Sequence, residues 1–216
     1  MSESKPQTSN IRFPNHPYDE IGSYTLDYFD LHHAASETLN ISELTRASEV
    51  LTRCYQAGEW LFVCGNGGSA AIANHFVCDH LKLIATGTAI KPKVYSLSSN
   101  IEIQTAIAND ISYDDVFAYQ LGNLAANRDV LTVVSASGNS ENVIRALATA
   151  KEIGMTTIAM TGFSGGTCRE RADISLHFDC NNYGIVEDLH LCTMQILAQF
   201  IRNTAMTHED ILGHAF

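Results

Sequence analysis

Leu61-Phe62-Val63-Cys64-Gly65-Asn66-Gly67-Gly68-Ser69-Ala70-Ala71-Ile72-Ala73-Asn74-His75 is the stretch that decides the fold. Its four leading apolar residues run into Gly-Asn-Gly-Gly-Ser, and a series of good helix formers follows. That order predicts a buried strand, a tight turn that needs glycine, and a helix beginning at once. Ser69 is placed to cap that helix, with the free N–H groups of its first turn aimed into the bend. Such a terminus attracts anions. A lone glycine-rich turn is equally compatible with a plain strand–turn–helix corner.

Outward from this corner the pattern alternates. Strands are expected at 60–64, 94–97, 130–134, 156–161 and 174–178. Helices are expected at 69–83, 100–108, 113–124, 140–153 and about 185–203, with a glycine loop and short helix over 163–171. Short apolar strands alternating with helices predict an α/β fold, a doubly wound and mainly parallel five-stranded sheet covered on both faces. Two amphipathic helices precede the first strand, over 19–39 and from Asn40 to Gly58. Asn40 is the expected cap of the second and Gly58 its terminator. Residues 1–18 are polar and broken by Pro6, Pro14 and Pro17, which predicts a loose arm. Residues 19–207 form one domain, and 208–216 a C-terminal tail.

The chain has 216 residues, 45% of them hydrophobic and 17% charged, as in an ordinary globular protein. A formal net charge of -11 argues against nucleic acid or an anionic membrane surface as partner. An anionic ligand must therefore be held by local dipoles and hydroxyls rather than by the global field. No apolar run approaches the roughly 18 residues of a membrane span, and the first residues lack the apolar core of a signal peptide. The six cysteines contain no C-x-x-C pair. Reduced thiols in a cytoplasmic protein are the expectation.

A second strand-to-helix junction reads Ser135-Ala136-Ser137-Gly138-Asn139-Ser140. Three hydroxyls and a bend-permitting glycine at a helix start suit the several oxygens of a phosphate. Serine is also simply common in turns. The absence of Gly-Lys-Ser/Thr excludes a P-loop, and one glycine cannot make a G-x-G-x-x-G fingerprint.

Taken together, Cys64–Ser69, Asn109-Asp110, Ser135–Ser140 and the last long helix resemble the sugar isomerase (SIS) domain of phosphoheptose isomerases. The resemblance covers nearly the whole chain, to about Asn203. It implies conversion of sedoheptulose 7-phosphate to D-glycero-D-manno-heptose 7-phosphate by a cytoplasmic homotetramer, commonly with zinc. It implies that Ser69, Ser135, Ser137 and Ser140 hold the phosphate, with Asn66, Gly67, Asn109 and Asp110 around the rest of the substrate. In that family a histidine and a glutamate four apart, and a glutamine and a histidine eight apart, form the metal and catalytic site. The matching positions here are His75, Asp79, Glu187 and Gln195, so three of the four are substituted.

Enediol chemistry needs a base to carry a proton between C1 and C2 and a group to steady the developing oxyanion. Asp79 or Glu187 is the expected base, and His190 a spare group for proton transfer. If His75, Asp79, Glu187 and Gln195 converge, a divalent ion, zinc foremost, would relieve the repulsion between the two carboxylates. Two readings follow: a ketose–aldose phosphate isomerase, or a non-catalytic SIS protein that binds a sugar phosphate or a partner.

Overall fold

The computed structural model describes residues 13–215. Two helices open it, α1 (Ile21–Ser36) and α2 (Ile41–Ala57), followed by β1 (Trp60–Gly65) and α3 (Gly68–Phe76). The helix continues past Phe76 as a π-helical stretch, Val77–Leu83. Then come β2 (Lys93–Ser96), α4 (Ile101–Asp110), a 3-10 turn at Tyr113–Asp115, and α5 (Ala118–Leu124). The second half runs β3 (Val130–Ser135), α6 (Glu141–Ile153), β4 (Thr156–Thr161), α7 (Gly166–Arg171), β5 (Ile174–His177), α8 (Tyr183–Thr204) and α9 (His208–Gly213).

The five strands are parallel, in the order β2-β1-β3-β4-β5. Strand residues alternate between two cores, as a period of two requires. Leu61 and Val63 join the core built with α1, α2, α3 and α8, whereas Phe62 and Cys64 join the one built with α4, α5 and α6. Both faces are covered, and this is why the strands read as continuous apolar runs. The chain order reverses between β1 and β3, so a crevice opens outside the carboxyl ends of those two strands. Both glycine–serine turns lie there.

Local signals explain most boundaries. The Asn40 side chain accepts from Ser42 N–H at 3.0 Å and starts α2. Gly58 (φ 70) and Gly154 (φ 91) end α2 and α6 in left-handed geometry. Asn100 caps α4 by accepting from Ile103 N–H at 2.9 Å.

Several expectations are corrected. Ser69 is not the cap of α3: the helix starts at Gly68, the cap position is Gly67, and Ser69 lies buried in the first turn. The helix expected over 69–83 changes to π geometry at Val77. The helix expected over 113–124 is two pieces, because Ser112 caps a 3-10 turn by accepting from Asp114 N–H. The tail holds α9, started by a reciprocal Thr207–Asp210 capping box. Buried Arg202 fastens its end, donating to the carbonyls of Thr86 at 2.9 Å and Ala215 at 2.8 Å. Of the arm, residues 1–12 lie outside the described residues. Its described part is docked: the Phe13 ring is buried against Tyr18, Tyr24 and Tyr28, and Asn182 donates to its carbonyl.

Candidate active site

The turn after β1 is shaped by contacts that only glycine allows. A Cβ on Gly65 would stand 2.7 Å from the Ser69 carbonyl oxygen, so the strand end lies directly against the helix it feeds. Gly67 has a positive φ of 54, with open space where a Cβ would stand. A Cβ on Gly68 would overlap the Glu187 carboxylate. Glu187, on the first turns of α8, thus sits against the N-terminus of α3, where a negative charge is favoured by the helix dipole.

The turn after β3 is clamped from the other side. Gly138 (φ 67) packs against the Gly165 carbonyl, and its own carbonyl accepts from Cys168 N–H at 3.0 Å. Asn139 Oδ1 accepts from Thr167 N–H at 3.1 Å. Within the turn, buried Ser135 Oγ accepts from Gly138 N–H at 3.2 Å, and Ser137 Oγ accepts from Asn139 N–H at 3.4 Å. Ser140 occupies the cap position of α6, half-buried, and its hydroxyl makes no capping bond. Its oxygen is available to a ligand at the start of α6.

The two turns are joined by side chains. Asn66 and Asn142 exchange amide hydrogen bonds, both at 2.9 Å, and the Tyr113 hydroxyl donates to Asn66 Oδ1 at 3.0 Å. Arg145 holds the turn that carries Tyr113 on α6 through two 2.9 Å bonds to Asp115 and one of 3.4 Å to Asp114, and is itself steadied by Glu141 of the same helix at 3.1 Å. Sequence reasoning missed Asn142, Tyr113 and Arg145. Asn142 left a signal, since an amide in a helix's first turn commonly serves something other than the helix. Tyr113 left none.

His75 and Asp79 meet as expected of an i, i+4 pair, Nε2 to Oδ2 at 3.1 Å. The histidine is largely exposed and the carboxylate mostly covered. Asn109 and Asp110 are exposed at the end of α4, where the Asn109 amide donates to Asp110 at 2.7 Å. Gln195 is half-buried two turns beyond Glu187 on α8.

The expected ligand set His75, Asp79, Glu187 and Gln195 is not assembled as one metal centre. Among the described residues no three His, Cys, Asp or Glu side chains are grouped to hold a metal ion. Asp79 is turned to His75, and Glu187 to Gly68. A zinc site takes three or four protein donors, and the His75–Asp79 contact supplies two of them.

His190 does not fit the proton-transfer role expected of it. It is fully buried, its ring 6.0 Å from that of Phe178, and burial pushes its pKa down to about 4. His80 is also fully buried and pushed down to about 4 by burial. Histidines that titrate near 6.5 when unfolded and near 4 when folded give the unfolded state more bound protons between those values. Stability therefore rises with pH across that window and is lost as pH falls from about 6.5 to about 4. The expected slope is roughly 1.4 kcal/mol per pH unit for each histidine. Urea titrations from pH 7 to pH 4 check it, and a flat midpoint would contradict it.

The SIS domain family matches residues 24–162. The chain is similar to a probable phosphoheptose isomerase of Thermoplasma acidophilum, 39% identical over 76% of this chain and 89% of the relative. It is also similar to the phosphoheptose isomerase of Colwellia psychrerythraea, 36% identical over 82% of this chain and 91% of the relative. Among solved structures, phosphoheptose isomerase from Neisseria gonorrhoeae superimposes with a TM-score of 0.78 at 28% identity, covering 85% of this chain and all of that one. In fold and in sequence over most of its length, the chain belongs to the SIS-domain phosphoheptose isomerase family.

Proposed function

We propose that the protein isomerises sedoheptulose 7-phosphate to D-glycero-D-manno-heptose 7-phosphate through an enediol. The observation that carries this reading is the pair of adjoining turns at the β1/β3 switch point, each opening a helix N-terminus, held together by the Asn66–Asn142 amide pair. Ser69, Ser135, Ser137 and Ser140, with the first N–H groups of α3 and α6, receive the phosphate. A charge of -11 makes this local arrangement necessary, since the overall field repels an anion. Asn66, Gly67, Asn109 and Asp110 face the sugar.

Asp79 is the base. Its carboxylate is mostly covered and held by His75, and it takes the C1 proton of the ketose and returns it at C2. The His75 imidazole, six residues and roughly 9 Å along the helix from Ser69, orients that carboxylate. The substituted positions do not favour a non-catalytic protein, because the acidic group needed for proton transfer is present at Asp79.

The test is conversion of sedoheptulose 7-phosphate followed by NMR in D2O. Isomerisation with deuterium appearing at C2 of the product is expected. No turnover and no exchange would remove the enzyme reading. Replacing Ser137 and Ser140 by alanine is expected to weaken phosphate binding by roughly 1–3 kcal/mol, the scale of charge-assisted hydrogen bonds. Calorimetry with inorganic phosphate measures it, and unchanged affinity would place the phosphate elsewhere.

A cytoplasmic homotetramer accompanies this reading. Ile21, Leu26 and Phe29 on α1, with Ile196 and Phe200 on α8, are exposed apolar side chains that association would cover. No helix among the described residues is long and apolar enough to cross a membrane. A monomer by light scattering at micromolar concentration would count against the tetramer.

A further inference from the structure

Along α3 and its continuation the buried residues Ile72, Phe76, His80 and Ile84 form one row, each four residues after the last, with Ser69 and Ala73 buried beside it. On a regular α-helix a step of four overshoots a full turn by about 40°, so three steps would swing Ile84 about 120° away from Ile72. The π stretch over Val77–Leu83 widens the turn and removes that drift, keeping the row against the core. In this apolar row the polar member is His80, with no exposed surface.

Both of its nitrogens are engaged. Nε2 lies 3.2 Å from the carbonyl of Met194, which only accepts, so Nε2 carries the proton. Nδ1 then accepts from the Tyr55 hydroxyl at 2.7 Å. The ring lies 4.6 Å from that of Phe76, centroid to centroid. One side chain therefore ties together α2, the π stretch and α8. Its chain neighbour is Asp79, and the neighbour of Met194 is Gln195. A leucine would fill the same space without bonds, leaving the Tyr55 hydroxyl buried and unpaired, so burial alone does not account for an imidazole here.

We propose that His80 is a positioning residue for proton transfer. Locked between Tyr55 and Met194, it fixes the wide turn that presents Asp79 to His75, and it holds the α8 turn bearing Gln195 beside it. This rests on Asp79 being the base, as proposed above. The lock lies in the middle of the helix, away from the serine turns, so it governs turnover rather than phosphate capture.

The experiment compares His80→Leu, His80→Gln and Tyr55→Phe with wild type, using sedoheptulose 7-phosphate, circular dichroism to confirm folding, and crystal structures of the folded variants. The expected result is at least a tenfold fall in kcat for His80→Leu, with KM within twofold and the His75–Asp79 contact opened. His80→Gln, whose amide can still donate to the Met194 carbonyl, should recover part of the loss, and Tyr55→Phe should lower kcat about threefold. A purely structural role would lower the melting temperature and leave kcat alone. Folded His80→Leu with wild-type kcat overturns the proposal. If His80→Leu does not fold, Tyr55→Phe decides: a folded variant with wild-type kcat overturns it. Asp79→Asn is run alongside. Should that variant keep wild-type turnover, the base assignment fails separately, and an unmoved His75–Asp79 contact in His80→Leu or Tyr55→Phe overturns the positioning claim on its own.

Discussion

Asp79→Asn is expected to lower kcat for sedoheptulose 7-phosphate by roughly 10²–10⁴-fold, the usual contribution of a positioned general base, while KM stays near its wild-type value. The change is nearly isosteric. Asparagine can still accept a hydrogen bond from His75 through Oδ1, so the 3.1 Å contact survives in form. What it cannot do is take a proton from carbon. With the phosphate received at the starts of α3 and α6, as proposed, and Asp79 ten residues beyond Ser69 along the helix, capture should persist. Glu187→Gln provides the contrast. That carboxylate lies against Gly68 at the N-terminus of α3, and its loss removes a favourable charge–dipole interaction of roughly 0.3–1 kcal/mol. Steady-state kinetics on the two variants separates the candidates. If Glu187→Gln falls by the larger factor and Asp79→Asn does not, the base is Glu187.

The strands and the switch-point crevice were legible because their causes are local. Apolar runs of four to six residues ending in glycine and serine admit few other structures, and Thr156–Thr161 was bounded correctly from sequence. That His75 and Asp79 share a helix face followed from their spacing, whereas Asp79 itself sits in the widened turn that the spacing did not show. Other features depended on contacts between distant residues and left no local trace. The expectation of one metal centre took four residues on two helices to converge. Their mutual distance depends on how α3 and α8 dock, and docking is set by Gly68 against Glu187 and by His80 against Met194. The π stretch was invisible to a reading that assumed a constant 3.6-residue period, although the four-residue spacing of Ile72, Phe76, His80 and Ile84 held the clue. His190 looked available because it sits three residues from Glu187. A step of three turns a side chain by about 300°, and here it carries His190 from the half-buried edge of α8 into the core.

Gly138→Ala is expected to cause the largest loss of stability of any single change at the site. Two costs combine there. The residue is left-handed at φ 67, a conformation that costs an L-residue with a Cβ roughly 1–2 kcal/mol. The added methyl would also run into the Gly165 carbonyl. That is backbone, fixed in turn by Gly162 N–H donating to Ala136 at 2.8 Å and Cys168 N–H donating to Gly138 at 3.0 Å. Neither loop can yield without breaking those bonds, so overpacking adds roughly 1–3 kcal/mol. A total of roughly 2–5 kcal/mol is a large share of the 5–15 kcal/mol typical of a folded domain. Ser137 and Ser140 flank the position, so the surviving folded fraction should also bind phosphate more weakly. Gly67→Ala separates the two costs: its backbone is also strained for a residue with a Cβ (φ 54, ψ -123), but nothing lies within 4 Å of the new methyl. It should lose only the conformational part, roughly 1–3 kcal/mol. Urea unfolding of both variants beside wild type is the measurement. Equal losses would mean that the clash with Gly165 is relieved and that the two loops are not clamped together as described.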